Sequence, residues 1–194
     1  MTRSVLPLFA LCLFLSPAIV RGADHPASPR GQAATDIGGK WVEVDYGRPI
    51  LRGRANIFGT GADYGKTVNA KAPVWRAGAN QTTSLTTQLP LKVGDKTIVP
   101  GTYDLFVDLK EGAWTLIVST QPASDKYPTN GKKIWGSYGY DSKFDVVRIP
   151  MTTTTSPVST DEFTIGFVDV TPTALKLQLA WDHTVATASF DVAK

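Results

Sequence analysis

The stretch Leu175-Lys176-Leu177-Gln178-Leu179-Ala180-Trp181-Asp182 alternates large apolar side chains with polar or small ones. In an extended strand, successive side chains point to opposite faces, so the three leucines and the tryptophan share one face. The polar side chains lie on the other face, which is the pattern of a strand that is buried on one side only. The stretch therefore predicts a β-sheet that covers an apolar core.

The same period of two recurs on either side of this stretch. Alternating runs occupy residues 41–46, 84–91, 102–109 and 163–169, and further strand-like runs occupy residues 114–120, 144–149 and 184–192. Turn dipeptides such as Gly94-Asp95 and Pro100-Gly101 separate some of them, whereas residues 121–133 and 151–159 are predicted to be connections. About nine short strands without a convincing amphipathic helix predict an all-β fold, an antiparallel two-sheet sandwich or jelly roll. An open barrel is the alternative.

The first 22 residues have the pattern of a targeting segment. Arg3 gives a short positive start, residues 5–20 are mostly apolar, and Val20-Arg21-Gly22 offers a cleavage site before Ala23. This pattern predicts a secretory signal peptide over residues 1–22 and an exported protein, either periplasmic or secreted. A membrane anchor is disfavoured because prolines interrupt a short apolar run, so we expect no transmembrane segment after signal removal.

The remaining chain is predicted to be a flexible linker over residues 23–40 and a single β-sandwich domain over residues 41–194. Removing Arg3 and Arg21 lowers Lys plus Arg from 20 to 18 against 17 acids, so the net charge falls from +3 to +1. A nearly neutral domain gives no electrostatic case for nucleic acid as a partner. The single cysteine, Cys12, lies in the leader, which excludes disulfides and a cysteine nucleophile in the mature chain.

The stretch Pro73-Val74-Trp75-Arg76-Ala77-Gly78-Ala79-Asn80 combines an aromatic ring, a fixed cation and an amide. With Tyr46-Gly47-Arg48-Pro49, Gly53-Arg54, Trp135-Gly136 and Trp181-Asp182, it resembles domain-of-unknown-function family 2911 over nearly all of the mature chain. The resemblance implies an exported bacterial β-rich domain and implies no activity. The chain departs from the family in having Asp182 where members tend to have glutamate, and in its long 121–133 loop.

Polar and aromatic residues within these strings are the candidate ligand-binding residues. Arginine suits bidentate contact with carboxylate, phosphate or sulfate, so Arg48, Arg54 and Arg76 are predicted to line a pocket for an anion or a sugar acid. Trp75 or Trp135 would be a stacking platform, Asn80 would orient a ligand hydroxyl, and Asp182 would supply a carboxylate. The alternative is that Arg76 pairs with Asp182 or Asp141 and only holds the fold. Trp114 and Trp181 lie in apolar strands and are predicted to fill the core.

Catalytic motifs are weak in this sequence. His183 follows Asp182 directly, and neighbours on a regular strand point to opposite faces, so the two do not form an oriented pair. No histidine cluster supports a metal site, and no cofactor is predicted. Three hypotheses fit: a non-catalytic binding module for a glycan, lipid or small anion; a saccharide hydrolase that uses carboxylates and arginines; and a structural or partner-binding domain. The first is preferred, with no catalytic residue assigned.

Overall fold

A computed structural model describes residues 26–129 and 131–193, so the predicted signal peptide over residues 1–22 lies outside the described residues. The described residues form ten strands: β1 (Arg30–Ile37), β2 (Lys40–Gly47), β3 (Thr83–Thr87), β4 (Leu91–Val93), β5 (Lys96–Ile98), β6 (Gly101–Asp108), β7 (Thr115–Ser119), β8 (Asp145–Pro150), β9 (Thr152–Val168) and β10 (Ala174–Val192). A four-residue helix, α1 (Lys66–Asn69), and 3-10 turns at Gly61–Asp63 and Ser142–Phe144 complete the elements. Within these residues, no helix has the length and apolar character needed to cross a bilayer.

The strands form two antiparallel sheets. One sheet has the order β1-β2-β3-β6-β7-β8, and the other has the order β5-β4-β10-β9. Apolar side chains of the two sheets face each other, as with Val42 and Val44 on β2 and Leu177 and Leu179 on β10, all of which are buried. The prediction of an all-β sandwich is therefore confirmed, and the alternative of a barrel is wrong.

Aromatic rings fill one end of the core. Trp75 lies 4.9 Å from Phe163 and 5.7 Å from Phe58 between ring centroids, and it stacks at 6.2 Å on Trp181 with an angle of 12° between the planes. Phe58 also contacts Trp114 at 4.7 Å. Edge-to-face and stacked pairs of this kind add to the stability gained from apolar burial. The cluster forms a rigid base beneath the loops at this end of the sandwich.

The predicted linker over residues 23–40 is wrong for the part that forms β1. This strand pairs with β2 over its whole length, from Arg30 opposite Gly47 to Ile37 opposite Lys40. Apart from Ile37 its side chains are small or polar, so it lacks the apolar alternation on which the sequence prediction depends. An edge strand of this type is held by backbone hydrogen bonds and by ion pairs such as that between Arg30 and Asp45.

The predicted threonine-rich connection over residues 151–159 is also wrong, because β9 begins at Thr152. Its first part pairs with β10, from Thr152 opposite Thr187 to Thr155 opposite Thr184. The side chains here are mostly exposed on both faces, so the sequence shows no apolar period that would predict a strand. The pairing is irregular around Asp182, whose φ of 53° marks a bulge in β10.

A third layer covers part of the outer face of the six-stranded sheet. Phe106 and Ile117 point outward from β6 and β7 and form a small apolar cluster with Val74, against which Ile134 and Tyr140 pack. The segment 134–140 is thereby held over the sheet. This arrangement brings the segment beside Arg76 at the end of the sandwich.

Candidate functional site

A cavity of about 280 Å³ opens beside the aromatic end of the core. The residues that decide its chemistry are Arg54, Ile57, Trp75, Arg76, Asn80 and Trp181. We call this cavity the Arg76 pocket. Four of the residues predicted from the sequence line it, namely Arg54, Trp75, Arg76 and Asn80. Its described lining contains two guanidinium groups and no carboxylate side chain.

The backbone around Arg76 is fixed by Trp75. Trp75 exchanges two backbone hydrogen bonds with Val107 of β6, at 2.9 and 2.8 Å, and its indole Nε1 donates to the carbonyl oxygen of Gly78 at 3.1 Å. The chain then turns sharply at Gly78, which has a φ of 153°. A Cβ atom at Gly78 would lie 2.7 Å from the carbonyl oxygen of Gly47, so the turn requires glycine.

The side chain of Arg76 is closely packed, and the residue is only 8% exposed. Its Nη1 donates to the carbonyl oxygen of Asn80 at 2.8 Å, and its guanidinium lies 5.0 Å from the ring centroid of Tyr138. Gly136 has a φ of 61°, and a Cβ atom there would fall 2.6 Å from Cζ of Arg76. The aromatic ring and the glycine therefore hold the guanidinium in place.

The hypothesis that Arg76 pairs with Asp182 or Asp141 is wrong. Asp141 forms an ion pair with Lys143 at 2.7 Å, and Asp182 accepts a hydrogen bond from Ser159 at 3.2 Å. Among the described residues, no carboxylate oxygen lies within 4.0 Å of the Arg76 guanidinium.

Within the described chain, the charge of Arg76 is compensated only by a backbone carbonyl and an aromatic ring. Burial of a charge lowers stability unless an opposite charge or hydrogen bonds compensate for it. The guanidinium has five N–H donors, and one of them is used by Asn80. The remaining donors suit the two oxygens of a carboxylate, phosphate or sulfate.

Arg54 provides the second positive charge of the pocket. Its Nε donates to the carbonyl oxygen of Leu51 at 2.9 Å, and its Nη2 donates to that of Ile50 at 2.8 Å. The guanidinium lies 5.8 Å from the ring centroid of Trp181 and is exposed. These backbone contacts orient the charge without neutralising it.

The backbone at the end of the Trp75–Asn80 stretch adds neutral donors. The backbone N–H groups of Gly78, Ala79 and Asn80 donate no hydrogen bond to another residue in the described part of the chain. All three residues line the Arg76 pocket, and Asn80 has a left-handed φ of 63°. Successive N–H groups in such turns form concave sites for anions.

Arg48 lies outside the Arg76 pocket. Its Nη2 is 2.9 Å from Oε2 of Glu162 on β9 and 3.5 Å from the hydroxyl of Thr164. A Cβ atom at Gly31 would lie 2.9 Å from Cγ of Arg48, which places this side chain against β1. Arg48 therefore ties the edge of one sheet to the edge of the other.

Asp182 also lies outside the Arg76 pocket. The bulge at Asp182 interrupts the strand alternation, so the side chains of Asp182 and His183 approach each other, but they do not form the oriented pair that the sequence analysis also disfavours. Nε2 of His183 is 3.9 Å from Asp182, and its Nδ1 lies 2.9 Å from the carbonyl oxygen of Ser156. The separation from Asp182 is too long for a hydrogen bond.

The tryptophans separate into core and surface residues. Trp114 and Trp181 are buried, as predicted. Trp75 is only 1% exposed, so its ring belongs mainly to the core and offers little surface for stacking. Trp135 is half-buried in a separate cavity of about 760 Å³, where its ring centroid lies 5.9 Å from that of Tyr127.

A further polar cavity of about 330 Å³ contains Asp104 on the outer face of the six-stranded sheet. Desolvation by burial raises the pKa of Asp104 to about 7. Its cross-strand neighbours are Ser84 and Ser119, and the described residues place no cation within 4.0 Å of it. No cluster of three metal-ligating side chains occurs in the described residues.

Sequence reasoning missed Trp181 and Ile57 as parts of the Arg76 pocket. Trp181 lies more than 100 positions along the chain from Arg76, and Ile57 lies in a loop that shows no period. Only the packing of the two sheets brings them to the same cavity, so no local signal identifies them.

A family model described as "Protein of unknown function (DUF2911)" matches residues 28–190. No curated protein matches the chain, and no solved structure matches it.

Proposed function

This chain belongs to the family of proteins of unknown function DUF2911, and we propose that it is an exported, non-catalytic module that binds a small oxyanion in the Arg76 pocket. The observation that carries the proposal is the buried guanidinium of Arg76, which has no carboxylate partner among the described residues. A bound anion would supply the opposite charge that the free site lacks.

The class of ligand follows from the size and charge of the pocket. A volume of about 280 Å³ is slightly below the usual range of roughly 300–1,000 Å³ for ligand sites, which favours a small ligand. Arg54 and Arg76 both contribute positive charge, and the N–H groups of residues 78–80 contribute neutral donors. Phosphate, sulfate and small carboxylates share the paired oxygens that such donors bind.

The hydrolase alternative receives less support from the same pocket. Saccharide hydrolysis usually needs two carboxyl groups on either side of the scissile bond. The described lining of the Arg76 pocket contains no carboxyl group. Asp104 has a pKa near 7, as a general acid or base would have, but it lines a different cavity. Binding without catalysis is therefore the function that the geometry supports best.

The test is calorimetric titration of phosphate, sulfate and acetate into the wild-type protein and Arg76→Gln. Loss of one charge-assisted contact is worth about 1.5–3 kcal/mol, so we expect Arg76→Gln to bind phosphate about tenfold to a hundredfold more weakly. Lys92→Gln is the control, because it removes an exposed charge from β4, which lies in the other sheet. Circular dichroism melting establishes that each variant is folded.

Two results would contradict the proposal. The first is a folded Arg76→Gln variant that binds phosphate as tightly as the wild type. The second is the absence of binding by the wild type to all three anions. Arg76→Lys refines the result, since it keeps the charge but loses the bidentate geometry and should bind with intermediate affinity.

A further inference from the structure

A second, larger site is lined by residues within 121–129 and 131–144, and we propose that it binds an acidic saccharide. This aromatic–lysine cleft has a volume of about 760 Å³ and is lined by Tyr127, Lys133, Trp135, Tyr138, Lys143 and Phe144, among others. Its volume lies within the range of roughly 300–1,000 Å³ that is usual for ligand sites. The proposal goes beyond oxyanion binding in the Arg76 pocket and concerns a different cavity.

The aromatic rings of the cleft are available to a ligand. Tyr127 is 74% exposed and Tyr138 is 45% exposed, both unusual for large rings that only support a fold. Tyr138 has its ring against the Arg76 guanidinium and also lines the cleft, so the ring is held in position. Rings that combine a fixed position with an exposed surface suit the apolar C–H faces of sugar rings.

The arrangement of the rings favours a saccharide over a flat aromatic ligand. The centroids of Tyr127 and Trp135 are 5.9 Å apart, and their planes are inclined at 54°. The two rings contact each other, so they leave no parallel slot into which a planar ring could insert. A sugar needs only one exposed ring surface and polar groups around it.

The charge of the cleft indicates an acidic ligand. Its described lining contains three lysines and one carboxylate, that of Asp141. Lys143 pairs with Asp141 at 2.7 Å, and the hydrogen bond from Lys143 lowers the pKa of that carboxyl, which keeps it ionised. Lys133 is exposed and adds a positive charge that this pair does not neutralise. A carboxylate or sulfate on a sugar would be attracted to it.

The test uses two disaccharides that differ only in their acidic groups. α-1,4-Digalacturonate and neutral α-1,4-galactobiose are titrated calorimetrically into the wild type, Trp135→Ala, Tyr127→Ala and Lys133→Gln. We expect digalacturonate to bind more tightly than galactobiose. The two aromatic variants should weaken it about fivefold to tenfold, and Lys133→Gln should weaken it about twofold to fivefold.

Controls separate this site from other surfaces. Trp41→Ala removes a tryptophan that is 46% exposed and lies outside the cleft, and it should leave digalacturonate affinity unchanged. Lys92→Gln removes an exposed charge from β4 that does not line the cleft, and it should also leave digalacturonate affinity unchanged. Tyr127 and Lys133 are exposed, so their variants test the proposal even if Trp135→Ala does not fold.

Three outcomes would overturn the proposal. The first is that neither disaccharide binds, and the second is that galactobiose binds as tightly as digalacturonate. The third is that binding survives unchanged in all three cleft variants. Phosphate titrations of the same variants report separately on the Arg76 pocket, so failure of one proposal does not imply failure of the other.

Discussion

Arg48 and Arg76 are the same residue type in two separate motifs, and the fold uses them in opposite ways. Arg48 lies 2.9 Å from the carboxylate of Glu162 and links the edges of the two sheets. Arg76 is more deeply buried, yet among the described residues it contacts a carbonyl oxygen, an aromatic ring and a glycine, with no carboxylate nearby. The first charge is already neutralised in the folded protein, whereas the second is not.

This difference shows how a structural arginine is told apart from a candidate binding residue. Residue type and exposure alone would have ranked Arg48 as the better ligand contact, because its side chain is 31% exposed. If the two arginines are compared by whether a carboxylate neutralises their charge, Arg76 is the better candidate for binding a ligand. The ion pair with Glu162 neutralises the charge of Arg48, although its Nε has no hydrogen-bond partner. The guanidinium of Arg76 has no carboxylate partner among the described residues, and it keeps donors for a ligand beside a cavity.

The largest expected effect is the loss of stability on truncating Trp75, the neighbour of Arg76 that lies in the core. Trp75→Ala removes the ring at the centre of the aromatic cluster, and we expect the free energy of unfolding to fall by about 3–5 kcal/mol. Urea denaturation measures the loss. Trp41→Ala, which truncates an exposed ring, is the control and should cost less than about 0.5 kcal/mol. A small loss for Trp75→Ala would mean that the ring faces a ligand and not the core.

Two glycine substitutions test whether Gly136 positions the guanidinium of Arg76. Gly136 and Gly139 both have positive φ, at 61° and 82°, so alanine at either position costs about 1–2 kcal/mol. Only at Gly136 would the new Cβ lie against the guanidinium; at Gly139 it would meet Cγ2 of Ile134 at an ordinary 3.4 Å. We therefore expect Gly136→Ala to cost about 1 kcal/mol more in urea denaturation and also to weaken phosphate binding. Equal stability and affinity in the two variants would show that Gly136 does not position Arg76.

Asp104 extends the comparison to an acid without a partner. Its pKa is raised from 3.8 to about 7, so between these pH values the folded protein holds a proton that the unfolded chain has lost. Stability should therefore fall as the pH rises from about 4 to about 7. Asp104→Asn should match the wild type near pH 4 and exceed it near pH 8 by about 1–2 kcal/mol, after allowance for partial solvation.

Thermal denaturation from pH 4 to pH 8 checks this dependence. Asp191→Asn removes an exposed carboxylate from β10 and is the matched control. If Asp104→Asn gains no stability relative to that control at high pH, then the Asp104 carboxyl is not desolvated in solution.

The smallest expected effect concerns Arg48. Its side chain and that of Glu162 are about one third exposed, so solvent screens the ion pair. We expect Arg48→Gln to lower the free energy of unfolding by at most about 1 kcal/mol and to leave phosphate affinity unchanged. A double-mutant cycle with Glu162→Gln measures the pair directly. Loss of phosphate binding in Arg48→Gln would remove the distinction between the two arginines.

The sequence predicted the strands that bury one face. Runs such as Val42-Glu43-Val44 and Leu175-Lys176-Leu177 show the period of two because their alternate side chains enter the core. It did not predict β1 or the first part of β9, since these strands are held by backbone pairing and bury little apolar surface. A strand without a buried face leaves no apolar period in the sequence.

The candidate site was predictable only in part, for a related reason. Trp75, Arg76 and Asn80 are close in sequence, so their grouping in one pocket follows from the local chain. The partner of each arginine depends instead on which strands meet across the sandwich. The sequence therefore suggested Asp141 or Asp182 for Arg76, while the fold gives Asp141 to Lys143 and gives Arg48 to Glu162.

The most direct test of the account is the change in melting temperature that phosphate causes in the wild type, Arg48→Gln and Arg76→Gln. A ligand that binds only the folded protein raises its stability by RT ln(1 + L/Kd), where L is the concentration of free ligand. The account predicts a similar rise in the wild type and Arg48→Gln and little or no rise in Arg76→Gln. An equal rise in all three proteins would contradict it, because phosphate would then bind without the guanidinium of Arg76.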